Sequence, residues 1–437
     1  MKKIGFITLG CKVNIYESNA IKEEFQKRGY ETVEAEDLCD AYIINTCSVT
    51  NMADAKSRKM IRKCIKMNPN AIICVMGCYV QTNEEAKSLD GIDILIGNGN
   101  KMIVVDKVIE RLEGKTTEKY IEIKDILKEK EYEKLGVTTY DHTRAFVKIE
   151  DGCNFFCAYC IIPYARGPVR CKGVNEVIKE LQDITNQGYK EVVLSGIHTG
   201  LYMDELNGET YNLSKLVKKI ITEVPRLKRL RLSSIEPNEI DSEYIKMLKE
   251  SDVLANHFHL PMQAGSNNVL KSMGRHYDRE YFKKKIELIR EARPDIAIST
   301  DIIVGFPGET EEDFQDTINL ARECGLTKLH VFPYSVRGGT KAAKMPNQVS
   351  PDVKKDRASR LIKVSEELEY EYALKFLGKK LDMIVEQKYK NYLVGHTSNF
   401  LEVLIPYDES LLKKQVNVII EKVTKTEIFG KIEDVIE

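Results

Sequence analysis

The chain has 437 residues, 43% apolar and 30% charged, with a formal net charge of -1. Its length exceeds one ordinary core and points to roughly two to four domains. The even charge balance excludes an overall basic field for indiscriminate nucleic-acid binding.

The opening MKKIGFITLGCKVN turns polar too soon for a signal peptide and reads as a first strand. The longest apolar run, AIICVMGCYV, is too short to cross a bilayer, so no membrane partner is expected and a soluble, cytoplasmic protein is. Eleven cysteines in a chain this long fit a reducing compartment, where thiols are ligands or packing groups.

In the first hundred residues KIGFITLG, AYIINTC and AIICVMGC alternate with the helical stretches ESNAIKEEFQKRG and ADAKSRKMIRKCIK. That alternation predicts a parallel α/β sheet. Each of the three strands runs into a cysteine: Cys11, Cys47 and Cys78. Ligand sites of open α/β sheets lie beyond the strands' carboxyl ends, so these three are expected to converge on one crevice. The alternative is burial as small apolar residues, the reading given to Cys39, Cys64, Cys74 and Cys324. Lys56, Arg58, Lys59, Arg62, Lys63 and Lys66 give the second helix a basic stripe, which is either a phosphate contact or a solvated face.

After a charged spacer, KDILKEKEYEKLG, six strand candidates follow: AFVKIE, EVVLSG, RLRLSS, HFHLPM, IAISTDIIVG and KLHVFPY. Six βα units predict a partial (β/α)6 barrel with its functional residues on the loops after the strands. On those loops stand the triplet Cys153, Cys157 and Cys160, then Ser195 and Gly196, then Ser233, Ser234 and Glu236, then Gln263 and Ser266, then GFPGET with Gly305, Phe306, Pro307 and Gly308. Thr310 and Asp313 form an N-cap pair. His257 and His259 share a strand face and read as barrel lining. From about 351 a charged helical run leads to LDMIVEQ, YLVGHTSNFLEVLIP and VNVIIEKV, a small antiparallel barrel with Gly395, Asn399 and Gly430 at turn-like places.

The triplet CNFFCAYC offers three thiolates where metals usually take four ligands. Its spacing lets three thiolates reach three corners of a four-iron cube, leaving one iron open to chelate S-adenosylmethionine. A zinc site completed by Cys171 is the alternative. CNFFCAYC resembles the CxxxCxxC signature of radical S-adenosylmethionine enzymes, in which Tyr159 packs near the adenine. In that family the glycine and proline motif matched by Gly305, Phe306 and Pro307 lines the adenosine. The loop matched by Ser195 and Gly196, with Ser234 on the next strand, meets the methionyl end, although the acidic residue of many relatives is absent there.

The whole chain resembles the methylthiotransferases, which join an N-terminal α/β domain, a radical barrel and a C-terminal TRAM barrel. The resemblance divides it into 1–125, 139–370 and 371–437. It implies two 4Fe-4S clusters, one on Cys11, Cys47 and Cys78 and one on Cys153, Cys157 and Cys160, together with S-adenosylmethionine. GCKVN, NTCSVTNMADAKSRKMIRK and IIPYARGPVR look like the branch acting on threonylcarbamoyladenosine in the tRNA anticodon stem-loop, with Cys171 where relatives tend to carry serine. Isopentenyladenosine tRNA and a ribosomal-protein aspartate are the alternative substrates. The implied partners are tRNA, an external electron donor such as flavodoxin or ferredoxin, and a sulfur donor. Arg337 and Thr340 are candidates to touch the substrate's carboxylate or ribose. The C-terminal barrel either grips tRNA or is structural.

Overall fold

A computed structural model describes residues 1–140 and 143–436. Residues 141, 142 and 437, which fall inside the expected second and third domains, lie outside the described residues.

The first sheet contains β1 (Lys3–Thr8), β2 (Glu31–Glu34), β3 (Ala41–Thr46), β4 (Ile72–Gly77), β5 (Ile94–Ile96) and β6 (Tyr120–Glu122). All its pairings are parallel, in the order β2-β1-β3-β4-β5-β6. The apolar pattern marks β1, β3 and β4. The other three strands, of three or four residues, are too short for periodicity to register. Helices α1 (Lys12–Lys27) and α2 (Asn51–Met67) leave the carboxyl ends of β1 and β3, and each face of the sheet buries its own apolar core. The winding direction reverses between β1 and β3, so the crevice expected of such folds opens there.

The six expected barrel strands are present: β7 (Arg144–Lys148), β8 (Glu191–Ser195), β9 (Arg229–Leu232), β10 (His257–His259), β11 (Ala297–Val304) and β12 (Lys328–Pro333). They run parallel in chain order, with bridges from Leu230 to Leu254 and Ser234 to His259 joining two halves of three strands each. The barrel is open between β7 and β12. The N-terminal domain spans that gap. On one side α1 packs along β7 and lends Tyr16 and Ala20 to the barrel core. On the other, the loop after β12 docks on the start of α2. There Arg337 is buried, donating to Asn51 Oδ1 at 2.6 Å and Ser48 Oγ at 2.8 Å and pairing with Asp54 Oδ2 at 2.8 Å. Thr340 donates to the carbonyl of Arg337. Arg337 thus fastens the loop to α2, with Thr340 bracing its backbone, where the sequence suggested contact with a substrate. The charged spacer is not free either: Leu135, Val137 and Tyr140 enter the barrel core.

A helix over Pro351–Leu374, N-capped by Ser350, leads to β13 (Lys380–Tyr389), β14 (Tyr392–Thr397), β15 (Glu402–Pro406), β16 (Gln415–Val423) and β17 (Ile428–Ile436). They close into a barrel in the order β13-β14-β15-β17-β16. Its pairings are antiparallel except β15 with β17, which is parallel. Asn399 occupies a turn as expected, but Gly395 and Gly430 lie inside strands. At Gly395 a β-carbon would stand 2.0 Å from the carbonyl oxygen of Ile384, so close backbone approach beside a bulge explains this glycine.

Phe400, after the β14 turn, plugs the lower mouth of the six-stranded barrel. Its ring lies 4.8 Å from His257 and 4.7 Å from His396, beneath the guanidinium groups of Arg144 and Arg231. Buried Glu191 holds this joint, binding Arg231 at 2.7 Å and Arg229 at 2.8 Å. Those arginines in turn donate to the carbonyls of His396, Thr397 and Ser398. Burial alone would raise the Glu191 carboxyl, but Arg231 and Arg229 outweigh it and hold it at about 2.

Replacing Glu191 with Gln leaves buried Arg231 without a carboxylate and Arg229 with Asp382 alone, and denaturant melts at pH 7 should show a loss of about 3–5 kcal/mol. Because the folded carboxyl titrates below the ordinary 4.5, Glu191 stabilises fully above that value. The difference between parent and variant should shrink as pH falls from 4.5 toward 2.

Candidate active site

The three strand-end cysteines meet at the crevice between β1, β3 and β4. Gly10 and Gly77, with φ of 103° and 101°, precede Cys11 and Cys78 and turn each strand sharply into the helix that follows. The Cys47 sulfur packs 3.2 Å from where a Gly10 β-carbon would be, which brings the β1 and β3 cysteines side by side. Asn14 ties this corner together: it donates to the carbonyls of Leu9 at 2.7 Å and Thr46 at 3.0 Å, and its Oδ1 faces the Cys11 thiol at 3.7 Å. Asn98 donates to Cys78 Sγ at 3.4 Å and to the Ala165 carbonyl at 2.6 Å.

Solvent reaches Cys11, but only within the crevice, where protein surrounds it. Burial pushes its thiol up, Arg166 opposes this, and Cys78 adds to the rise. Burial and then Cys78 push Cys47 up to about 11. Thiols raised in this way become thiolates when a metal supplies the compensating charge. Burial raises the thiols of Cys64 and Cys324 as well, so it is position at the strand ends that sets Cys11, Cys47 and Cys78 apart. Cys39, Cys64, Cys74 and Cys324 are instead buried in apolar cores, as expected.

The second triad lies on the loop after β7. Phe156 takes φ of 47°, uncommon for a bulky residue, and this folds the loop back on itself. Ala158 pins the loop at both ends, donating to the Met273 carbonyl and accepting from the Ala342 amide, each at 2.8 Å. His198 Nδ1 stands 3.5 Å from Cys153 Sγ, and Arg275 donates to Cys157 Sγ at 3.5 Å and to the Tyr159 hydroxyl at 3.4 Å. Arg275 also pairs with Glu236. Phe155 stands edge-on between the rings of His198 and His276, at 4.5 and 4.7 Å. Burial raises the Cys160 thiol to about 12.

Cys171 is turned elsewhere. Its strand pairs with Glu150, and its sulfur accepts from the Met203 amide at 3.3 Å. Among the described residues no three His, Cys, Asp or Glu stand close enough to hold a single metal ion.

Ser195 and Gly196 end β8 beside the triplet, with Ser195 buried. Oε2 of fully buried Glu150 stands 2.6 Å from where a Gly196 β-carbon would be and accepts from the His198 amide at 2.6 Å. Burial raises the Glu150 carboxyl to about 8. Ser234 bridges to His259, and its carbonyl accepts from Thr199. Gly305 and Pro307 follow β11. Phe306 between them is wholly buried against Tyr334, so its ring serves the core and leaves only backbone to the loop. The Thr310 and Asp313 capping box is present.

A buried ionic network lies between the two triads. Arg166, on a short helix after the triplet (Ile162–Arg166), donates to Asn14 Oδ1 at 2.5 Å and Glu17 Oε1 at 2.6 Å and lies 3.3 Å from Asp151 Oδ2. Lys148 bridges the same two acids at 3.0 and 2.6 Å, Lys101 pairs with Glu17, and Arg170 lies 3.7 Å from Asp151. Burial works against the charges, yet Lys148 and Arg166 outweigh it and keep Asp151 at about 2. Asn14 touches Cys11, and the network ends at Asp151, two residues before Cys153 in the chain. The barrel interior below holds a cavity of about 500 Å³ whose wall includes Lys12, Arg231, His257, His259, Ser299 and Phe400. Both histidines hydrogen-bond Ser299 Oγ at 3.0 Å, confirming them as lining.

Residues 147–321 match the radical SAM superfamily, and residues 3–97 match the uncharacterized protein family UPF0004. The chain is 44% identical to the threonylcarbamoyladenosine tRNA methylthiotransferase MtaB of Bacillus subtilis, over 97% of this chain and 94% of that one. It is 37% identical to the protein of the same name from Aquifex aeolicus, over 92% and 96%. It is 35% identical to the tRNA-2-methylthio-N(6)-dimethylallyladenosine synthase of Clostridium perfringens, over 98% and 97%. Among solved structures, the radical S-adenosylmethionine methyltransferase TsrM of Kitasatospora setae superposes with a TM-score of 0.55 at 14% identity, over 76% of this chain and 74% of that one. Fold, thiol chemistry and full-length similarity agree that the chain belongs to the radical S-adenosylmethionine methylthiotransferases. Membership of the radical superfamily brings a 4Fe-4S cluster and S-adenosylmethionine with it.

Sequence reading missed Arg166, Arg275, His198 and Asn98. Each is a single polar residue with a partner 45 or more positions away, and only IIPYARGPVR, where Arg166 sits, carried a local signal. Replacing Arg166 with Met removes the link between Asn14, Glu17 and Asp151. Hydrogen exchange should then show faster opening of α1 and of Ile162–Arg166, with the C-terminal barrel unchanged.

Proposed function

We propose that the protein attaches a methylthio group to carbon 2 of N6-threonylcarbamoyladenosine beside the tRNA anticodon. The observation that supports this reading is the 44% identity to the Bacillus subtilis enzyme over 97% of this chain, in a fold that sets one cysteine triad at strand ends of the N-terminal sheet and a second on the loop after β7. Its likeness to the dimethylallyladenosine enzyme is lower, at 35%. In this reading Cys153, Cys157 and Cys160 hold the radical cluster and Cys11, Cys47 and Cys78 a second 4Fe-4S cluster. The division into 1–125, 139–370 and 371–437 belongs to the same reading: the sheet ends at Glu122, the barrel begins at Arg144 and the closed barrel begins at Lys380.

When bound, these groups supply reductive cleavage of the sulfonium and a metal-held sulfur for transfer. The protein's own residues set the conditions. His198, Arg275 and Asn98 give polar contacts to the sulfurs of Cys153, Cys157 and Cys78, which moderates charge on the ligands. Tyr159, Ser195, Gly196, Ser234, Gly305, Phe306 and Pro307 form the S-adenosylmethionine pocket, with Glu150 as the acid facing Gly196. Burial of Phe306 assigns its contribution to the backbone. The N-terminal domain, closed over the gap between β7 and β12, keeps bulk water from the reacting carbon.

Lys56, Lys59, Arg62, Lys63 and Lys66 are exposed on α2 and have no ion pair among the described residues, which supports this face for RNA phosphates. Arg58 is half-buried over the Tyr79 ring. An external one-electron donor, such as flavodoxin or ferredoxin, and a sulfur donor complete the balance of the reaction.

The test is nucleoside mass spectrometry of tRNA from cells lacking the protein, with and without the gene restored. The 2-methylthio form of threonylcarbamoyladenosine should return with the gene; its absence from both samples would overturn the substrate assignment. A Cys11→Ala variant should still cleave S-adenosylmethionine under reducing conditions while forming no methylthiolated nucleoside. Detection of that nucleoside from the variant would refute the role given to Cys11.

A further inference from the structure

Five cations line the barrel cavity. Arg144 is paired with Glu386 at 3.1 Å, Arg231 with Glu191 at 2.7 Å and Lys328 with Glu369 at 3.2 Å. Lys425 belongs to the turn between β16 and β17 at the C-terminal barrel. Lys12 differs from all of these. It follows Cys11 directly, lines the cavity together with His257 and His259, and has no hydrogen bond or ion pair among the described residues. A second polar point on the wall is also unused, because buried His257 Nδ1 lacks a partner among the described residues. The one acid of β11 on this side, Asp301, is engaged by His259 at 3.2 Å.

Lys12 is solvent-accessible within this cavity, and with Asp301 taken up by His259 its ammonium is open to an anionic ligand. The substrate proposed above carries a free carboxylate on its threonyl group, and an isopentenyl group carries none. We propose that Lys12 is the specificity-determining residue that receives this carboxylate, which places the modified adenine next to Cys11. The inference rests on the substrate reading of the preceding subsection and adds a physical cause for it. A carboxylate entering the cavity meets an uncommitted ammonium, whereas an apolar side chain would leave that ammonium desolvated and unpaired. Such a site rejects the wrong substrate by an unpaired charge as well as by lost attraction.

The test uses the full chain and synthetic anticodon stem-loops carrying threonylcarbamoyladenosine, its threonyl methyl ester or unmodified adenosine. Direct binding is measured first, then turnover by the reconstituted enzyme. The parent protein should prefer the free acid to the ester and to adenosine. Lys12→Met should lose that preference, with about a 10- to 100-fold weaker hold on the acid, the range of one hydrogen bond to a charged group. Its binding of the unmodified stem-loop, melting temperature and iron content should stay unchanged. Lys12→Arg should restore most of the preference. Retention of the full preference by Lys12→Met overturns the assignment of Lys12. A parent enzyme that turns over none of the three stem-loops overturns the substrate reading beneath it, and turnover of the acid with no preference over the ester removes Lys12 alone.

Discussion

The arrangement depends on one buried guanidinium. Arg166 sits where the strand-end crevice of the N-terminal sheet meets the loop of the second triad, and it contacts Asn14, Glu17 and Asp151 at once. A buried ion pair is weak ground for stability, because desolvating the charges opposes their attraction, but it specifies geometry: few other placements satisfy all its partners. Arg166, Lys148, Lys101 and Arg170 face two carboxylates, Glu17 and Asp151. The excess is positive and lies beside cysteine sets that are anionic once deprotonated. In the proposed reading, the same network that fixes the two domains would provide part of the counter-charge for the clusters.

That geometry gives the incomplete barrel its meaning. Six strands leave a lateral gap, and a gap is an entrance unless something covers it. Here α1 covers the β7 side and the Arg337 joint holds the β12 side to α2, so the N-terminal cysteines are carried onto the opening. From below, Phe400 closes the other mouth with Glu191, Arg229 and Arg231 behind it. The cavity is bounded by all three parts of the chain, so a substrate within it is sensed by all three.

Much of this was legible in the sequence, and for local reasons. Strands β1, β3 and β4 and all six barrel strands are long or apolar enough to declare themselves, and both cysteine sets follow strands directly. The basic stripe on α2 and the Thr310 capping box obey short-range rules of the same kind. Missed or misplaced features are those set by distant partners. Gly395 reads as a turn but answers to a backbone from the neighbouring strand. Arg337 reads as a substrate contact, yet its partner Asp54 lies 283 positions away. Glu150 packs against Gly196 from another strand, a contact that no local pattern reports.

The central claim is that two cysteine triads each hold a four-iron cluster on one crevice. The most direct measurement is iron and acid-labile sulfide per chain after anaerobic reconstitution, on the parent and on two triple variants. The account predicts about eight irons for the parent. It predicts about four when Cys11, Cys47 and Cys78 are all replaced by Ala, and about four when Cys153, Cys157 and Cys160 are. A parent with only about four irons, or an N-terminal triple variant that keeps the parent's full complement, would contradict it.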